Sequence, residues 1–215
     1  MRFLLLLLTT IVPLTAQVNV LLVGSVKDSL SGEVVGNIFY RIYTTGANPR
    51  LVVKGTVKQN GSFQALLRSG HSYQIEFTHY TILRTRDTIQ LVPAETFEEV
   101  PRTFTVLRLK PDLLLQKANI FVPNSAELTP DGEKLLKDLL HQLRYNRQLF
   151  LKVVLPANPG VSKELLQQRL NALKQWYARR KNNFYVRRLQ FLIDPAVRDT
   201  VDIQIKVATV RNLFD

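Results

Sequence analysis

The hydrophobic period of this 215-residue chain changes once, across Asn119 to Leu128 and the Thr129-Pro130 that follows, and that seam constrains the fold more than any other feature. Upstream, apolar and β-branched runs are separated by turn residues at short intervals, the pattern of an all-β sandwich. Downstream, leucines recur at helical spacing between short apolar runs that read as strands. Two different periods in one chain predict two domains, residues 17–110 and residues 111–215.

Ahead of both lies an export signal. Met1-Arg2 supplies one positive charge, Phe3 to Leu8 an apolar run, and Leu14-Thr15-Ala16 a small residue before Gln17, so residues 1–16 read as a signal peptide cleaved after Ala16. The apolar run falls short of the roughly 20 residues a membrane-spanning helix needs, and no later stretch is long and apolar enough. The mature chain is therefore expected to lack a transmembrane helix. It contains no cysteine, which excludes disulfides, thiolate metal sites, cysteine catalysis and a lipid-modified cysteine after the signal. Any membrane attachment would have to come through a partner.

Both halves are basic: residues 17–110 carry 11 Lys and Arg against 7 Asp and Glu, and residues 111–215 carry 17 against 10. In an exported chain this excess points to anionic envelope material rather than nucleic acid, or simply to solubility.

In the first half, strands are predicted at Val18 to Lys27, Asn37 to Thr44, Leu51 to Lys58, Ser62 to Arg68, Ser72 to Thr78, Thr81 to Leu91 and Thr103 to Leu109. Gln59-Asn60-Gly61 reads as a tight hairpin turn, since Asn-Gly tolerates positive φ angles. Pro93 to Pro101, with its three glutamates, reads as a loop. In the second half, Asn119 to Val122 is predicted as a strand, and Thr129 as the cap of a helix with Pro130 at its first position. Gln148 to Leu155 reads as a strand covered on both faces, Ser162 as the cap of a second helix, and Phe184 to Ile193 and Thr200 to Val207 as strands parted at Asp194-Pro195. Leu166, Leu170, Leu173 and Tyr177 form the apolar side of that second helix.

These segments resemble two families. Gly24-Ser25-Val26-Lys27-Asp28 with Ser31-Gly32, Asn60-Gly61-Ser62-Phe63 and Gly70-His71-Ser72-Tyr73 are similar to the carboxypeptidase regulatory-like domain of exported Bacteroidota proteins, which serves as a spacer or docking module. The strand, Asn-Ser-Ala-Glu-Leu loop and proline-started helix resemble the opening of the OmpA-like C-terminal domain, which grips peptidoglycan. Together the resemblances imply an α+β two-domain fold: an N-terminal all-β sandwich of about seven strands, then an OmpA-like βαβαββ α/β sandwich.

In the OmpA-like family an aspartate after the second strand and an arginine in the following helix hold diaminopimelate. At those positions this chain has Asn158, in Leu155-Pro156-Ala157-Asn158, and Arg169, in Gln167-Gln168-Arg169-Leu170. The arginine is kept and the carboxylate has become an amide. Asn158 can offer a ligand ammonium only a neutral acceptor, which weakens binding by about 1 to 2 kcal/mol. The site implied by the resemblance is eroded.

No catalytic motif is present, and His71, His79 and His141 do not stand at metal-ligand spacings, so neither catalysis, a cofactor nor a metal is expected. The expected function is that of a non-catalytic protein of the periplasm or the periplasmic face of the outer membrane. It either tethers to peptidoglycan through Arg169 and Asn158 or, having lost that ligand, serves as a scaffold for another envelope or outer-membrane protein.

Overall fold

The computed structural model describes residues 18–158, 160–180 and 187–212. The signal-peptide reading and the expected helix end at Asn182-Asn183 lie outside the described residues. Strands run β1 (Asn19–Asp28), β2 (Phe39–Thr44), β3 (Leu51–Thr56), β4 (Ser62–Arg68), β5 (Ser72–Thr78), β6 (Thr85–Gln90), β7 (Glu99–Val106) and β8 (Leu114–Ala118). Helix α1 (Pro130–Tyr145), β9 (Leu149–Ala157), helix α2 (Lys163–Ala178), β10 (Leu189–Arg198) and β11 (Ile203–Val210) follow.

The expected fold class is corrected. The chain is mostly β, with 46% strand against 17% helix, and its strands form three sheets in which an OmpA-like α/β domain is not evident. Among the described residues helix is confined to α1 and α2, whose buried leucines share one core with Leu149, Leu151, Val153 and Leu155 on one face of β9. On the other face of β9, Phe150 lies under Arg211, 4.4 Å from its guanidinium, and Lys152 pairs with Asp112. The nearly continuous apolar run of β9 thus marks a strand covered on both faces, with Val154 buried on the second as well.

Three strand expectations also change. Asn119 to Val122 is a loop joined to Leu128 by a single bridge at Phe121, and the strand lies just upstream, at β8. Pro101 falls inside β7, and Pro195 inside β10. Both strands lie at sheet edges, in the orders β4-β1-β7 and β10-β9-β11-β8, where a missing N–H need cost no ladder bond.

The first half places β4-β1-β7 over β3-β2-β5-β6, with Leu22, Ile42, Ile75, Phe77 and Phe104 fully buried between them. In β4, Phe63, Ala65 and Leu67 point inward and their neighbours outward, the alternation its sequence carries. Phe63 sits among Tyr40, Phe77 and Phe104 with ring centroids 4.5 to 5.9 Å away. Gly24 faces it across the sheet, and a Cβ there would lie 2.2 Å from the Phe63 ring.

The Asn60-Gly61 turn forms locally but does not make a two-stranded hairpin. Gly61 N–H donates to the Lys58 carbonyl at 2.8 Å, only Gly61 takes a positive φ, +76°, and β3 and β4 then enter different sheets. The turn is a corner of the sandwich.

The halves are in contact. Leu83 and Leu107 of the first pack against the core of the second. The Arg84 backbone N–H donates to Asn146 Oδ1 at 2.8 Å, and Gln148 Nε2 to the Ile82 carbonyl at 3.3 Å. Asn146, 1% exposed, also caps α1, its N–H bonding the Gln142 carbonyl. Leu113 in the connection is buried in the second core, and its carbonyl accepts from Val207 N–H at 2.9 Å. No helix among the described residues is long and apolar enough to cross a membrane.

Candidate functional site

The seam stretch, the second helix and the loop before β11 converge on Arg169. Helix α2 starts where the sequence places it: Ser162 takes an extended conformation and its side chain accepts from Leu165 N–H. Leu166, Leu170 and Leu173 then face the core, and Arg169, three residues after the first and four before the last, is carried in with them. It is 4% exposed.

A guanidinium drawn into a core must be paired and hydrogen-bonded. Arg169 Nη1 meets Asp202 Oδ1 at 2.8 Å, Nε donates to the Ser125 carbonyl at 2.9 Å, and the cation lies 4.8 Å from the centre of the Phe121 ring. The other Asp202 oxygen accepts from Ile120 N–H at 2.8 Å and Phe121 N–H at 2.9 Å. Asn119 Oδ1 accepts from Asp202 N–H at 3.0 Å. The loop from Asn119 to Ser125 is therefore held through two side chains, Asp202 and Arg169, and gets from them what a neighbouring strand would otherwise supply.

Asn158 follows β9 and is half-buried. Its Oδ1 accepts from Gly160 N–H at 3.0 Å, closing a turn, and its Nδ2 donates to the Thr200 carbonyl at 3.4 Å. Asn158 and Arg169 thus both touch the loop 199–202, one through Thr200 and the other through Asp202. Beside them, side-chain hydrogen bonds from Lys117 and Gln204 hold the Asp199 carboxyl down at about 2.

Asp202 is the functional partner that neither Arg169 nor Asn158 pointed to. Its signal lay elsewhere in the sequence: a cation inside a run of buried leucines demands a carboxylate from another element. The basic residues between α2 and β10 also divide in space. Arg188 is 5% exposed and gives its guanidinium to the Leu143 and Asn146 carbonyls, at 2.5 and 2.9 Å. Arg180 lies 3.4 Å from the centre of the Trp176 ring, and Lys181 is outside the described residues. Among the described residues, no group of three or more His, Asp or Glu is placed to hold a metal ion.

No family model matches the chain, and no curated protein matches it. Among solved structures, the Bacillus anthracis TIE protein is similar over 50% of this chain and 21% of its own, at 19% identity and a TM-score of 0.38. A DUF3823 family protein from Parabacteroides merdae is similar over 50% of this chain and 54% of its own, at 18% identity and a TM-score of 0.32. A 3-chlorocatechol 1,2-dioxygenase from Rhodococcus opacus is similar over 44% and 61%, at 9% identity and a TM-score of 0.33. No family is assigned. In each case the match spans less than two thirds of the other protein, and none of the three is an OmpA-like protein.

Proposed function

We propose that the chain is a non-catalytic interaction protein of the bacterial cell envelope, a scaffold that does not bind peptidoglycan. The observation that supports this is the state of Arg169. The cation expected to meet a ligand carboxylate is 4% exposed and already paired with Asp202, and the position expected to offer a ligand ammonium a carboxylate holds the amide of Asn158. A ligand would have to displace a buried ion pair whose aspartate also holds two backbone N–H groups.

Co-sedimentation of the purified protein with peptidoglycan sacculi, at low and at moderate salt, tests the reading. The expected result is no retention, or retention that disappears at moderate salt because it rests on net positive charge alone. Retention that survives moderate salt and is strengthened by Asn158→Asp overturns it in favour of a tether. The same reading requires that the tagged protein recover one defined envelope protein reproducibly in the absence of cell wall.

A further inference from the structure

The two halves enclose a cleft of about 920 Å³, a size suited to one small ligand. Four arginines line it: Arg41 from β2, Arg84 ahead of β6, Arg144 from α1 and Arg147 ahead of β9. Among the described residues, no acidic side chain does. Glu76, beneath it on β5, is 1% exposed, and both of its oxygens are taken, by Arg84 at 2.6 Å and Arg86 at 2.7 Å. Arg41 stands opposite Glu76 in the β2–β5 register, but it forms no ion pair among the described residues. Arg144 and Arg147 form none either.

Like charges gathered in a concave, partly dry site raise the local potential and favour an anion there. Arginine adds geometry, because its planar fork matches the two oxygens of a carboxylate or phosphate. The remaining wall is aromatic. Phe39, Tyr80 and Tyr145 are 51%, 36% and 55% exposed, and His79 links the first two, with ring centroids 6.3 and 4.3 Å away. Large rings left in water on the walls of one cleft offer flat apolar faces to a ligand, while the arginines beside them offer charge.

We propose that this cleft binds an anionic saccharide, a sugar ring carrying a phosphate or carboxylate, with the ring laid against Tyr145 and Tyr80 and the anion held by Arg144, Arg147 and Arg41. The proposal is independent of the Arg169 site, which lies within the second half.

Isothermal titration of the purified protein with glucose 6-phosphate and with glucuronate, against glucose and inorganic phosphate, is the test. Both charged sugars bind, glucose does not, and inorganic phosphate binds roughly tenfold or more weaker than glucose 6-phosphate, since it lacks the ring. Replacing Arg144 and Arg147 together with Gln weakens the charged sugars by roughly tenfold or more. Replacing Lys174 of α2 and Arg179 just after it with Gln removes the same charge away from the cleft and leaves affinity unchanged. Tyr145→Ala narrows the gap between glucose 6-phosphate and inorganic phosphate. Failure of both charged sugars to bind, an equal loss in the α2 control, or inorganic phosphate binding as tightly as glucose 6-phosphate each overturns the assignment.

Discussion

Asp202→Asn isolates the interaction on which the second half is pinned. The exchange keeps the shape of the side chain and removes its charge. Arg169, 5% exposed at the side chain, then becomes a buried cation without a counter-charge, and the amide can accept from Arg169 or from the Ile120 and Phe121 N–H groups but not serve all three. Breaking a buried pair from one side costs about 3 to 5 kcal/mol. Against a total stability of roughly 5 to 15 kcal/mol this is a large share, and for a chain of this size it lowers the melting temperature by on the order of 10 °C. The decisive measurement is a double-mutant cycle by urea unfolding with Arg169→Met. Because methionine leaves no cation to strand, the double variant should be more stable than Asp202→Asn alone. A loss below about 1 kcal/mol for Asp202→Asn, the range of an exposed surface pair, would refute the argument, as would strict additivity of the two changes.

Gly132 lies in the first turn of α1, where a Cβ would stand 2.4 Å from the Ile120 carbonyl oxygen, so Gly132→Ala should destabilise by about 1 to 3 kcal/mol despite the better helix propensity of alanine. Chemical unfolding checks it, and a gain in stability would refute it. Thr129→Ala removes the acceptor for Gly132 N–H and should cost about 1 kcal/mol in the same assay. Burial pushes the Glu76 carboxyl up, but hydrogen bonds from Arg84 and Arg86 outweigh it and hold the group below its ordinary value. A folded value below the unfolded one means that Glu76 stabilises the fold fully above the unfolded carboxyl's range, and that this contribution is lost as pH falls through the folded value. Unfolding measured between neutral and acidic pH should therefore show a shallower acid loss in Glu76→Gln than in the parent; equal slopes would count against it.

Much of the local structure was legible in residue types. Thr129-Pro130 and Ser162 start helices because their side chains accept backbone N–H groups that nothing else can, and that chemistry is local. Strand limits were harder where proline intervened. Pro101 and Pro195 looked like interruptions, and only the position of β7 and β10 at sheet edges, a property of the whole sheet, makes them tolerable within strands. The stretch from Asn119 to Val122 has the residues of a strand but spends two of its N–H groups on Asp202, more than 80 residues away. Pairing at that separation leaves no periodic trace. The candidate site divides in the same way: the number of Arg169 could be read from the helix, but the partner that occupies it could not.

The order of strands in the third sheet sets an order of assembly. β11 comes after β8, β9 and β10 in the chain, yet it lies between β9 and β8, hydrogen-bonded to both. During synthesis β8 and β9 emerge with the gap between them open, and α1 and α2 have no completed surface to settle on until β11 slides in. The half-built domain must wait with two unpaired strand edges and a stranded arginine exposed, the state in which chains aggregate or meet chaperones. A chain cut short before residue 203 would lose the middle of this sheet, not its margin.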